Sequence, residues 1–80
     1  PDHPYVATTL KSLASLLYEQ GKYAMAEPLA RRSLALREKV LGPDHPDVAE
    51  SLNSLAHILS EQGRFSEPES LVRRSISIRI

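Results

Sequence analysis

Sliding the chain against itself by 42 positions lays Pro1 on Pro43 and keeps the two copies in register to the last residue, with no insertion. About 20 of the 38 overlapping positions are identical, which makes a fixed-period repeat the frame for everything else. The repeat opens on Pro-Asp-His-Pro at 1–4 and again at 43–46. The retained positions are mostly packing types: Val6 and Val48, Ala7 and Ala49, Leu10 and Leu52, Leu13 and Leu55, Ala14 and Ala56, Leu17 and Leu59. Glu19-Gln20-Gly21 returns as Glu61-Gln62-Gly63, and Arg31-Arg32-Ser33 as Arg73-Arg74-Ser75. The expected organisation is one 80-residue domain, with repeat 1 at 1–42 and repeat 2 at 43–80, the second copy lacking its last four positions.

Within a copy, Val6, Leu10, Leu13, Ala14 and Leu17 fall on one face of a helix. Pro4 suits a first helical turn, Asp2 or His3 can cap it, and Gly21 can take the left-handed conformation that ends it. A second helix is expected from about Ala24 to Leu41, with Leu29, Leu36 and Val40 on its apolar side, stopped by Gly42-Pro43. The second copy predicts helices from about Pro46 to Gln62 and from about Glu67 to the end, Ser66 and Glu69 having the spacing of a capping box. The tail SISIRI alternates like a strand, but its counterpart SLALRE is helical, so helix is expected there too. Short connections make neighbouring helices antiparallel, and the fold class is all-α, a tandem pair of helix hairpins.

Composition narrows the functions. Net charge is zero, whereas a nucleic-acid binder usually carries a basic excess, so no nucleic-acid partner is expected. No apolar run approaches a membrane span, so no membrane partner is expected either. The chain has no cysteine and no leader-like stretch, which points to a cytoplasmic setting.

The residues Leu13, Ala14, Leu17, Gly21, Tyr23, Ala26 and Ser33, with Leu55, Ala56, Leu59, Gly63, Phe65 and Ser75, have the spacing of large and small packing positions of a tetratricopeptide repeat, which each copy resembles. The 42-residue period and the wording LGPDHPDVA, SLNSLA and EQGRF are similar to the long variety found in kinesin light chain and in many bacterial repeat arrays. Pro68 departs from the pattern where a small alanine lets the two helices of a unit approach, and Ser33 and Ser75 stand where alanine is commoner. The resemblance implies a short right-handed α-solenoid. Its first helices would line a concave groove that binds a peptide or protein, without catalysis and without a cofactor. Carried over position by position, the implied groove residues are Thr8, Lys11, Ser12, Ser15 and Tyr18 from the first copy. The second copy gives Glu50, Asn53, Ser54, His57 and Ser60. Asn53 can donate to and accept from a peptide backbone at once, and Lys11 can meet a carboxylate.

Other constellations carry less. Asp2-His3 and Asp44-His45 offer metal-type ligands, but they sit a repeat apart beside helix-starting prolines, where capping accounts for them. His57 and Glu61 are four apart on a helix with no third ligand or nucleophile, and fit an exposed contact across one turn. Ser54, Ser60 and Ser66 have no preformed pocket to make a catalytic triad of them. Arg31, Arg32, Arg37, Arg73, Arg74 and Arg79 form a basic stripe that Glu27 and Glu69 partly neutralise, with Arg32 and Arg74 lacking an obvious partner.

A repeat stack buries each apolar face against the next unit, and two units leave both ends open. Val6 and Leu10 at one end, and Ile76, Ile78 and Ile80 at the other, are therefore expected to support self-association or homo-oligomer formation. Two function classes follow: a non-catalytic protein–protein interaction scaffold, and a self-associating structural module or segment of a longer array.

Overall fold

The structure is a computed structural model that describes residues 4–79. It contains four helices: α1 (Pro4–Glu19), α2 (Tyr23–Leu41), α3 (Pro46–Glu61) and α4 (Ser66–Arg79). All four expected helices are present within a residue or two of their predicted ends, and the SISIRI tail is helical through Arg79. Asp2, His3 and Ile80 lie outside the described residues.

The turns explain why the chain doubles back twice in the same way. At Gly21, φ is 77°, which lets Gly21 N–H reach the Tyr18 carbonyl at 2.9 Å and Lys22 N–H reach that of Leu17 at 2.8 Å. The same pair of bonds recurs at Gly63 (φ 78°), from Gly63 to Ser60 at 2.9 Å and from Arg64 to Leu59 at 3.0 Å. This is the paired-bond ending that satisfies the last carbonyls of a helix, and it needs a residue tolerant of the left-handed region. At the other end of the hairpin, His45 caps α3: its Nδ1 accepts from Asp47 N–H at 3.0 Å, with Pro46 in the first turn. The repeated His is thus a helix-start residue where the structure describes it. Helix α4 starts one residue earlier than the capping-box reading places it. The Phe65 carbonyl accepts from Glu69 N–H at 3.3 Å, which makes Ser66 the first helical residue.

Helix α1 packs along α2, α3 along α4, and α2 along α3. Helix α3 is therefore covered on two sides and carries the core: Val48, Leu52, Leu55 and Leu59 are its large fully buried side chains. Ala14, Ala26, Ala30, Leu34 and Ile58 complete the cluster, and Leu17, Tyr18, Tyr23, Leu29, Leu71 and Ile78 pack against it. Burying a leucine of this kind contributes roughly 1.5–3 kcal/mol, so α3 supplies a large share of what holds a chain this short together.

Three expectations about faces change. Leu13 is half-exposed although it lies on the predicted core face, because no element covers that side of α1, whereas α2 covers its repeat counterpart Leu55. Val40 is exposed as well. The buried stripe of α2 runs Ala26, Ala30, Ser33, Leu34 and Arg37, and the antiparallel register carries Val40 past the first turn of α1. That register is pinned by Ser33 Oγ, which donates to the Ala7 carbonyl at 2.7 Å. Ser75 repeats the bond to Ala49 at 3.3 Å. The serines standing in place of alanine are therefore buried links between the two helices of each hairpin.

The third change concerns the arginines. Helices α2 and α4 do not pack directly, and charged side chains span the gap between them. Arg31 holds Glu67 bidentately at 2.8 and 2.9 Å while keeping Glu27 at 2.9 Å. Arg64 reaches Glu27 at 2.8 Å, and Arg74 pairs with Glu38. Arg31, Arg64 and Arg74 form a stitched seam, Arg32 stays exposed, and Arg74 has a partner that helical spacing does not reveal. The hydrogen bonds from Arg31 hold the Glu67 carboxyl below the ordinary glutamate value.

A pH dependence follows. Glu67, and Glu50 described below, have depressed folded-state values, so the unfolded chain takes up protons first as pH falls. Their stabilisation is complete above the unfolded glutamate value of about 4.3 and is lost as pH drops through the lower folded values. The thermal midpoint should be flat near neutrality and fall on acidification, with Glu67→Gln flattening the acid limb. Circular dichroism melts across pH measure this, and an unchanged acid limb in Glu67→Gln would remove the seam from the account.

Candidate binding groove

Where α1 and α3 run beside each other above α2, they leave a cleft of about 360 Å³. Its floor is apolar and small: Ala14 from α1, Ala30 from α2 and Ile58 from α3. The two alanines are small and keep the floor low, so a side chain entering from outside meets carbon there rather than water. The floor also includes Ser33 and Ser51, but both hydroxyls are engaged inside the fold, the first with the Ala7 carbonyl and the second with Arg37. The rim is polar. Lys11, Ser15, Tyr18 and Glu19 stand on one side and Ser54 and His57 on the other. Tyr18 is steadied by an edge-on contact with Tyr23, ring centroids 5.4 Å apart at 61°.

One end of the cleft is a charge cluster. Lys11 Nζ lies 3.2 Å from Glu50 Oε1, and Arg37 reaches the same oxygen at 3.0 Å. The Arg37 hydrogen bond, followed by that of Lys11, holds the Glu50 carboxyl below its ordinary value despite the opposing effect of burial. Lys11 is thus already paired inside the fold. Arg37 is itself buried, with its guanidinium also donating to the Asp47 carbonyl and Ser51 Oγ, both at 3.0 Å. The basic-stripe reading missed this. Arg37 follows Ser33 and Leu34 by four and three residues, a spacing that puts it on the same buried face.

The implied groove residues divide between two places. Lys11, Ser15, Tyr18, Ser54 and His57 line the cleft just described. Asn53 and Ser60 line a second, more open cleft of about 420 Å³ between α3 and α4, and His57 borders both. Glu50 belongs to the charge cluster, Thr8 Oγ1 lies 3.5 Å from Arg37, and Ser12 is exposed on α1. Of the residues expected at the open ends, Ile76 is exposed, Val6 and Leu10 are half-buried, and Ile78 packs against the core. Glu61 sits beside the Tyr23 hydroxyl, which burial and then that carboxylate push above its ordinary value. Among the described residues no three His, Asp or Glu side chains converge as metal ligands, and no helix is long and apolar enough to cross a membrane.

No curated protein sequence matches the chain closely enough to count as a relative. The family model described as tetratricopeptide repeat matches residues 5–80, all but the first four positions. Two antiparallel hairpins, each closed at a left-handed glycine and joined by a serine-to-carbonyl bond, agree with that match. The chain belongs to the tetratricopeptide repeat family.

Proposed function

We propose that the chain is a non-catalytic binding scaffold whose cleft between α1 and α3 takes a side chain of an extended peptide or protein segment. The observation that carries this is the cleft itself, with an apolar floor at Ala14, Ala30 and Ile58 under a rim of hydrogen-bonding groups. An apolar partner residue on that floor would be desolvated, while Ser15, Ser54 and His57 are placed to meet the backbone on either side of it. Zero net charge and paired arginines argue for a peptide rather than a polyanion. Asn53 lines the second cleft, which adjoins the first at His57.

Panning a random peptide library on the immobilised chain tests the reading. Ser15 is exposed, so Ser15→Trp should fill the cleft without unfolding the chain and weaken captured peptides about tenfold or more, while Asn53→Ala leaves them unaffected. Peptides indifferent to Ser15→Trp would place recognition elsewhere.

A further inference from the structure

Apolar residues 42 positions apart have opposite exposures, and the pattern of those differences has a direction. On α1, Leu13 is 46% and Leu16 50% exposed, while their counterparts on α3, Leu55 and Ile58, are 1% and 2% exposed. On α4, Val72 is 40% and Ile76 53% exposed, while their counterparts on α2, Ala30 and Leu34, are 4% and 8% exposed. The buried members of both sets meet each other in one cluster, where α3 packs on α2. The exposed members are therefore the two halves of that same joint, presented on opposite ends of the molecule.

The second cleft is unfinished in the same sense. Asn53, Ala56, His57, Ser60 and Val72 line it, and they stand 42 positions after Lys11, Ala14, Ser15, Tyr18 and Ala30 of the first. The wall that α3 gives the first cleft, through Ser51, Ser54 and Ile58, has no counterpart at the second among the described residues. The residues equivalent to that wall are Thr9, Ser12 and Leu16, which are exposed on α1.

We infer that a second copy of this chain stacks head to tail, its α1 seated on the outer face of α4 as α3 is seated on α2, and that this contact completes the second cleft. The apolar correspondence sets the register, and one charge pair fits it. In the internal joint Glu27 carries Arg31 from its own helix and Arg64 from the next hairpin. Its counterpart Glu69 already carries Arg73 at 2.6 Å, and the residue equivalent to Arg64 is Lys22, exposed and of the right sign. Four links are lost, since the sequence counterparts of Arg31–Glu67, Arg74–Glu38, Lys11–Glu50 and Arg37–Glu50 are Arg73 with Met25, Arg32 with Ile80, Asn53 with Thr8 and Arg79 with Thr8. The joint between copies is accordingly weaker than the joint within one. Because the two faces differ, the contact is heterologous and does not close on itself, so growth continues past the dimer.

Sedimentation equilibrium of the chain from micromolar to millimolar concentration tests this. The average mass should rise continuously past that of a dimer. Leu16→Glu and Ile76→Glu lie at exposed sites and should each abolish growth while the helical spectrum and melting midpoint at low concentration stay unchanged. Mixed together, these two variants should form a dimer and stop, since one keeps a working α4 face and the other a working α1 face. Met25→Glu restores the missing bridge to Arg73 and should tighten association about two- to fivefold. A monomer at millimolar concentration, a symmetric dimer that both variants still form, or a mixture that stays monomeric would each overturn the inference. Peptide capture in the first cleft is read separately with Ser15→Trp, so neither result depends on the other.

Discussion

Leu55→Ala should destabilise the chain by about 2–5 kcal/mol, while Leu13→Ala, the same change at the same repeat position, should cost less than about 1 kcal/mol. Leu55 is 1% exposed at the centre of the core, between α2 and α4, and its removal leaves a cavity that the neighbouring helices can only partly close. Leu13 is 46% exposed on the uncovered side of α1, where truncation gives up little burial and alanine is the better helix former. A domain of this length has a total stability of roughly 4–12 kcal/mol, so Leu55→Ala removes a large fraction of it and shifts the chain toward a partly unfolded population at ordinary temperatures. Urea titration followed by circular dichroism, run at low micromolar concentration, separates the two variants. Equal losses would mean that the outer face of α1 is covered in solution even when dilute. The comparison also connects with self-stacking. If a second copy covers Leu13, the cost of Leu13→Ala should grow with protein concentration while that of Leu55→Ala changes less, as mass action requires of any contact made only between folded copies.

The pair also shows what a repeat makes legible and what it conceals. Period, helix count, hairpin topology and the turn glycines follow from the sequence, because they depend on local backbone chemistry that both copies share: Gly21 and Gly63 end helices by the same two bonds. Burial does not follow, because it depends on the neighbour across the joint, and Leu13 and Leu55 have different neighbours despite closely similar local sequences. The ion pairs were hidden for a related reason. Glu27 with Arg31 is visible at helical spacing, whereas Arg31 with Glu67 and Arg74 with Glu38 join residues 36 apart, which only the stacking of the hairpins brings together. The candidate site was half legible. Lys11, Ser15, Tyr18, Ser54 and His57 do gather at one cleft, but Lys11 is taken up by Glu50 and Asn53 lies one cleft further on. Family positions place residues along a groove; the walls between adjacent helices decide which of them share a cleft.

Arg37→Ala should cost about 2–4 kcal/mol, a large loss for an arginine on a helix that sequence patterning treats as mostly solvent-facing. Arg37 is 5% exposed, and its guanidinium is surrounded by fixed acceptors: the Asp47 carbonyl, Glu50 Oε1 and Ser51 Oγ, each at 3.0 Å, with Thr8 Oγ1 at 3.5 Å. These groups belong to α1 and to the first turns of α3, so one side chain from α2 ties the first hairpin to the start of the second. Truncation to alanine removes the packed stem together with the fork, and leaves a buried serine hydroxyl and a helix-start carbonyl to find other partners. Arg37→Met keeps most of the stem volume and should cost less, about 1–2 kcal/mol. Arg37→Lys should not restore the wild-type value, because the three close acceptors converge on Nη1 and the shorter lysine stem does not carry its ammonium that far. Glu50→Gln should have a much smaller effect, since its side chain is half in solvent and Lys11 also pairs with it. The order Ala, then Met and Lys, then Glu50→Gln therefore identifies a buried hydrogen-bonding guanidinium rather than a simple ion pair. If Glu50→Gln cost as much as Arg37→Ala, charge attraction would be the main contribution and the backbone and serine contacts incidental. Hydrogen exchange adds a spatial check: in Arg37→Ala, protection should fall first in the initial turns of α3, where Asp47, Glu50 and Ser51 lose their common donor.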